Sequence, residues 1–292
     1  MKKRELEEEL EEIKKELEKL KERSRGEILH LLERRGYVCL RSNPTEGLGL
    51  PRDCGPEAEE RFYDVMKHYS FRIFMRDVIK RRRAFRLKDL LQYCNEETVK
   101  DYINVLLETG IVKEKDPAGY RLFSDSVSSF GDTLEWFVAR IFEKEFHSPS
   151  SYGIHMRNTR SGGDYDVIAL VEGNLLYLEV KSSPPKHIEK SEISSFLDRV
   201  EELRPDLAVF FEDTELRLRD KIIPMFREEL KRYGRKGTMI RSFPDREDHV
   251  YSIGKNLFVM NSRPDIITSI GFLLKHFLQE KDDFYLKRAE KR

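Results

Sequence analysis

Ser161-Gly162-Gly163-Asp164-Tyr165-Asp166-Val167-Ile168-Ala169-Leu170-Val171-Glu172-Gly173-Asn174-Leu175-Leu176-Tyr177-Leu178-Glu179-Val180-Lys181 is the stretch on which the fold turns. Ser161-Gly162-Gly163 interrupts the chain, two β-rich runs flank a Gly-Asn turn, and Pro184-Pro185 stops the second run, a pattern that predicts a β-hairpin. With Gly173 and Asn174 as a two-residue loop, 172 pairs with 175, so 166 lies opposite 181 and 168 opposite 179. Side chains alternate with period two. Asp166, Glu179 and Lys181 then share one face, and Leu176, Leu178 and Val180 form core on the other. A three-residue loop would turn Asp166 to the wrong side unless a bulge corrected it.

That trio has a chemical logic. Cleaving a phosphodiester requires charge stabilisation on the phosphate and a deprotonated water at neutral pH. Two carboxylates close together repel each other and bind a hard cation such as Mg²⁺ through oxygen, and the ion supplies both effects. A lysine beside them orients the water, or accepts its proton if its pKa is lowered. The plain alternative is that Glu179 and Lys181 are ordinary polar residues of a half-exposed strand and Asp166 a turn residue. Against it, runs reading Val-Ile-Ala-Leu-Val and Leu-Leu-Tyr-Leu look buried, where unpaired charge is expensive.

Gly163-x-x-Asp166-Val-Ile-Ala, followed thirteen residues after the aspartate by Glu179-Val-Lys181, resembles the PD-(D/E)XK nuclease superfamily, particularly its archaeal Holliday-junction-resolvase-like and type IV restriction-like members. The resemblance implies that Asp166 and Glu179 are metal ligands, with the Val180 carbonyl as a further one, that Lys181 is the catalytic lysine, and that Glu135 is the acidic residue of the first core helix. It also implies Mg²⁺ as cofactor, with Mn²⁺ as a substitute, and DNA as the substrate. Tyr165 stands where the motif's name has proline, and Asp164 is an additional or substitute ligand. Glu135 has a second reading, as partner of Asp132 in a capping box at the start of a helix with its stripe at Leu134, Phe137, Val138, Ile141 and Phe142. Downstream, Ser191 is a candidate cap for a helix carrying Ile193, Phe196, Leu197, Val200 and Leu203, and Leu207 to Phe211 reads as a buried strand. Helix, hairpin, helix, strand and helix over 129–234 is the α/β restriction-endonuclease-like order, a mixed sheet flanked by helices.

Upstream, 59–128 follows the pattern of a winged helix-turn-helix. Glu57 to Lys80 reads as helical and Arg86 to Tyr93 as a short helix. Asn95 caps a helix striped with Val99, Ile103, Leu106 and Leu107 and ended by Gly110, and a hairpin turns at 113–119. The exposed positions of that second helix are mostly acidic, which argues against base reading. Arg81, Arg82, Arg83 and Lys88 precede it and would hold phosphates, or simply be a solvated helix end. Residues 2–24 repeat apolar positions in steps of four and three, coiled-coil spacing that would serve a homodimer. Residues 25–58 read as a helix and connecting loop, with the loop over 41–56, and 235–292 as a C-terminal α/β extension.

Composition sets the bounds. The chain has 292 residues, 37% charged and 39% hydrophobic, with 54 basic and 54 acidic side chains that cancel, so nucleic-acid binding must come from local patches. Cys39, Cys54 and Cys94 form no metal or disulfide pattern. The sequence has no apolar run of about 18 residues, which predicts a cytoplasmic protein without a membrane partner. The competing class of function is a non-catalytic regulator or scaffold with a vestigial nuclease fold.

Overall fold

The computed structural model describes Leu10, Glu12, Ile13, Lys15, Glu16, Lys19, and residues 26–289 except Ala118; side chains from 280 onward lie outside the description. The coiled coil expected over 2–24 falls mostly outside these residues. Its described members are helical, with Leu10 and Ile13 exposed.

One eight-stranded mixed sheet organises the molecule. Its strands are β1 (Val38–Arg41), β4 (Ser150–Arg157), β5 (Asp164–Val171), β6 (Asn174–Lys181), β7 (Leu207–Glu212), β8 (Ile240–Ser242), β9 (Val250–Ile253) and β10 (Leu257–Asn261), in the order β1-β4-β5-β6-β7-β10-β9-β8. β7 runs parallel to both β6 and β10, while the other pairs are antiparallel. A parallel β6–β7 pair requires a crossover, and α6 (Lys190–Leu203) provides it. Helix α6, α7 (Ile222–Arg232) and α1 (26–34) cover one face through Ile193, Phe196, Ile222, Phe226, Ile28 and Leu32. Helices α5 (Gly131–Glu145) and α8 (Ile266–Ala289) cover the other through Phe137, Ile141, Ile266 and Ile270. Burial on both faces explains why the central strands read as continuous apolar runs.

The upstream elements pack on the α5 side. They are α2 (Pro56–Met66), α3 (Tyr69–Lys80), α4 (Glu96–Glu108) and the hairpin β2 (Val112–Lys115) and β3 (Gly119–Leu122). A single apolar cluster runs from Phe62 and Phe71 through Phe137 to Leu178 and Phe258, so the upstream elements and the central sheet share one core. The order helix, helix, hairpin is present, and the α4 cap is as read: Asn95 Oδ1 accepts Thr98 N–H at 2.8 Å.

Several local expectations are corrected. Glu57 to Lys80 is two helices, because the Arg72 guanidinium takes the free carbonyls of Met66 and Lys67 at 2.7 and 3.0 Å and so stabilises a break at the end of α2. The helix expected over 86–93 is only a 3-10 turn, Leu87–Leu90. Helix α6 is capped by Glu189, whose partner is Glu192, in place of Ser191. β1 and β4 went unanticipated: β1 ends where a loop was expected to begin, and β4 stands between α5 and the hairpin.

Candidate active site

β5 and β6 pair from Val171↔Asn174 to Val167↔Leu178. The turn residues are therefore Glu172 and Gly173, both in the left-handed region with φ of 48° and 74°, as a type I′ turn requires. Asn174 sits in the strand instead, with Nδ2 donating to Val171 O at 2.9 Å. Ile168 thus faces Tyr177, where the sequence reading placed Glu179, and 166 does not lie opposite 181. Each partner moves by two positions, an even number, so β6 keeps its expected faces. Leu176, Leu178 and Val180 pack with the α5 cluster, and Tyr177 packs on the α6 side, in step with Glu179 and Lys181.

On β5 the alternation slips once. Val167, Ala169 and Val171 pack on the α5 side and Ile168 on the α6 side, yet Tyr165 also packs on the α6 side, its ring 5.2 Å from that of Tyr177. β4 keeps its register with β5 across this point, from Tyr152↔Val167 to Ile154↔Tyr165, but no pair forms between them, and β4 changes face there too, Tyr152 packing on the α5 side and Ile154 on the α6 side. The residue there is Gly153, φ +54°, where an added Cβ would lie 2.7 Å from Pro44 Cδ and 3.8 Å from Glu135 Oε2. Asp166 occupies the slip, its Oδ2 accepting the Val180 N–H at 2.7 Å. A side-chain oxygen stands where a regular ladder would offer a main-chain carbonyl. The carboxylate of β5 is thereby held between the strands, within the influence of Glu135 from one face and Glu179 from the other.

Helix α5 delivers Glu135. The capping-box reading of this residue is corrected: Phe130 is the N-cap, without a side-chain bond, and Asp132 lies inside the first turn. Burial first, then the charges of Asp166, Asp132 and Glu179, hold the Glu135 carboxyl well above the ordinary glutamate range, with Lys181 opposing. Burial and Glu179 likewise push Asp166 up to about 7, against Lys181, the Val180 N–H and Arg199. Glu179 is 1% exposed, and both its oxygens are engaged. Lys181 Nζ donates to Oε1 at 2.7 Å, Arg199 Nη1 contacts Oε1 and Oε2 at 3.0 and 2.9 Å, and the Tyr177 hydroxyl donates to Oε2. Burial works against the Lys181 ammonium, but Glu179 and Asp166 outweigh it and the lysine stays above its usual value. It is therefore a cation at neutral pH, suited to orienting a water or phosphate oxygen and unsuited to taking a proton.

The donor set fits a hard divalent cation in kind: carboxylates from α5, β5 and β6 lie within one another's electrostatic reach, and burial first, then the neighbouring negative charges, pushes two of them toward protonation. Its present spacing is wider than a finished metal shell, since among the described residues no three His, Cys, Asp or Glu side chains are gathered closely enough to hold one ion. Arg199 and Lys181 hold the Glu179 carboxylate in its place.

Other expected residues stand apart from this cluster. Asp164 is exposed and meets His155 Nδ1 at 2.8 Å. Arg81 pairs with Asp77 at 3.2 Å, Arg82 Nε donates to the Asp125 carbonyl at 3.1 Å, and Arg83 and Lys88 are exposed. None of these four cations bonds to the carboxylates among the described residues.

Sequence reasoning missed Tyr177, Arg199, Glu212 and Asp213. A signal for Arg199 was present, because Glu192, Phe196, Arg199 and Leu203 follow the spacing of one helix face, so an arginine interrupts the buried stripe of α6. Glu212 continues the buried run Leu207 to Phe211 directly and lies opposite Lys181 across the β6–β7 pair. It is fully buried, neither of its oxygens finds a hydrogen-bond partner, and burial pushes its carboxyl up to about 8.

No family model matches the chain, and no curated protein matches it. Among solved structures it is similar to protein VC1899 from Vibrio cholerae, at 15% identity and a TM-score of 0.42, covering 62% of this chain and 52% of that one. It is also similar to Can2 from Sulfobacillus thermosulfidooxidans, solved in complex with cyclic tetra-adenylate, at 16% identity and a TM-score of 0.39, covering 61% of this chain and 48% of that one. The chain thus spans about half the length of each. Neither likeness assigns a family. No helix among the described residues is long and apolar enough to cross a membrane.

Proposed function

We propose that this chain is a Mg²⁺-dependent endonuclease of the PD-(D/E)XK type that hydrolyses phosphodiester bonds in DNA. The observation that carries the reading is that Glu135, Asp166 and Glu179, with Lys181, lie within one another's electrostatic reach where β5 slips at Asp166, with Asp166 and Glu135 held above their ordinary pKa. Asp166, Glu179, Glu135 and the Val180 carbonyl would hold the cation, which supplies charge stabilisation on the phosphate and an acidified water. Lys181 keeps its proton and orients the attacking water or a phosphate oxygen. Arg199 fixes the Glu179 carboxylate and limits its rotation, and the apolar walls of the sheet keep the cluster partly dry, which strengthens each charge interaction. DNA is preferred to RNA on the resemblance and on the helix–helix–hairpin unit upstream. Cleavage of plasmid, single-stranded and branched DNA with and without Mg²⁺ tests the proposal, alongside Asp166→Ala and Lys181→Ala. Equal cleavage by wild type and both variants would sink the assignment.

One observation favours a second reading, in which the fold is a scaffold and the site vestigial. Glu179 is fully engaged by Tyr177, Lys181 and Arg199, as in a structural ion-pair network. Failure to cleave any of the three DNAs, together with no thermal shift on adding Mg²⁺, would favour it.

A further inference from the structure

The hairpin β2–β3 sets like charges against each other across its two strands. Lys113 lies directly opposite Arg121, and Lys115 opposite Gly119. Like charges in cross-strand register destabilise a sheet, and a hairpin normally avoids or offsets them. Here no carboxylate forms an ion pair with them among the described residues. Val112 and Leu122 point into the core, so Lys113, Lys115 and Arg121 all project from the opposite, solvent-facing side. Arg86 joins them, its Cγ lying 3.9 Å from where a Cβ on Gly119 would stand. All four cations are exposed, and none is ion-paired among the described residues; Lys115 Nζ donates only to the main-chain carbonyl of Arg83, at 3.0 Å. Of the nearby carboxylates, Glu114 lies on the reverse side, opposite Tyr120, Asp89 Oδ2 accepts the Arg86 main-chain N–H at 2.8 Å, and Asp116 is an exposed residue of the turn beside Lys115.

Arrangement identifies the class of ligand. Arg86 and Lys115 line one hollow with Lys88, but Lys113 and Arg121 lie outside it and extend the cations into a row, about 7 Å apart along a strand and about 5 Å across the pair. A row of cations on a face without an apolar side chain fits a repeating polyanion and gives a membrane nothing to bury. The row is also rigidly placed relative to the carboxylate cluster. Arg76 of α3 contacts Asp213 beside Lys181, and α3 ends at Lys80, one helical turn or about 6 Å of axis further on. The chain then runs at once along β3, through Leu122 N–H to Arg82 O at 2.7 Å and the Phe85–Tyr120 bridge.

We infer that the solvent face of the β2–β3 hairpin, through Arg86, Lys113, Lys115 and Arg121, binds the phosphate backbone of DNA without regard to sequence and holds it for the site. This rests on the nuclease reading for the identity of the polymer, but its test needs no cleavage. The probe is a short labelled duplex of arbitrary sequence, titrated in EDTA with the full-length protein, with affinity measured across a salt series by fluorescence anisotropy. Each phosphate deprived of its cation lowers the salt slope by about one. K113E should therefore weaken binding several-fold and lower the slope by about one, and K113E with R121E by about tenfold or more and about two. K113E also places opposite charges across the hairpin, so its melting temperature should hold or rise, which separates weaker binding from misfolding. The control is R227E with K231E, exposed cations of α7. Wild type that fails to bind at low salt, hairpin variants that bind as wild type does, or a control that weakens binding equally would each overturn the inference. Binding through the hairpin by a protein that never cleaves would remove the nuclease reading and leave this surface standing.

Discussion

The main-chain amide of Asp213 donates to the carbonyl of Lys181 at 2.8 Å. The carboxylate of the same aspartate, fully buried, receives Arg72 Nε at 2.9 Å, Ser262 Oγ at 2.6 Å and Arg76 Nη2. The residue that ties down the end of β6 is therefore itself anchored by α3, so the upstream helices and the candidate site are parts of one network.

Removing that anchor should be costly. Asp213→Ala strands the Arg72 guanidinium, 0% exposed, without its counter-charge. Breaking a buried pair from one side costs about 3–5 kcal/mol. Arg72→Met should cost less, because Arg76 still neutralises Asp213. Denaturant unfolding of the two variants checks the order, and an equal or reversed ranking would mean that the network is not organised around Asp213.

Glu212 sets a different pH signature. Its folded carboxyl is raised to about 8, above the roughly 4.3 of an unfolded glutamate. The folded state then holds the proton more tightly than the unfolded state, so its contribution to stability falls as pH rises from about 4 to about 8 and is level beyond. Glu212→Gln keeps the shape and cannot ionise. The difference in melting temperature, variant minus wild type, should grow between pH 6 and pH 9, and a difference that stays constant would count against the raised pKa.

Asp166 should show the conflict between stability and function. Asp166→Asn retains an oxygen for the Val180 N–H and removes a negative charge from beside Glu135 and Glu179. Without metal the variant should melt about 2–4 °C higher, the effect of roughly 1 kcal/mol in a chain of this size. Mg²⁺ should raise the melting temperature of wild type by mass action and leave the variant unmoved. Equal shifts in both proteins would place the ion elsewhere.

How legible this was depends on where the deciding interactions lie. The hairpin, its core face and the acidic pair follow from period-two patterning, which is local, and so they could be read. β4 could not be, because Ser150, Ser151 and Gly153 give no alternating apolar run and the strand exists through its pairing with β5. The slip at Asp166 is likewise a property of three strands together: it depends on Gly153 adopting a positive φ opposite it. Arg72 and Asp213 are buried and Arg199 is half-buried, and each meets its counter-charge 20 or more positions away, as in the 141-residue separation of Arg72 from Asp213. Sequence spacing can put Arg199 on the inner face of its helix, but it carries no record of which carboxylate such an ion meets.

The turn of the hairpin is where pattern and structure disagree, and it offers the last test. Gly-Asn reads as the loop, but the chain turns at Glu172-Gly173 with both residues at positive φ. Glutamate has a β-carbon that crowds the left-handed region and no short side chain to satisfy the backbone there, whereas asparagine tolerates it. Glu172→Asn creates the preferred Asn-Gly pair of a type I′ turn without touching the strands. Stability should rise by about 0.5–1 kcal/mol, in the range of substitutions that suit a position's native backbone. Had the loop been Gly173-Asn174, residue 172 would be a strand residue, and asparagine, a poor strand former, would lower stability there. The sign of the change in unfolding free energy thus decides the register, and with it which residue of β6 stands beside Asp166.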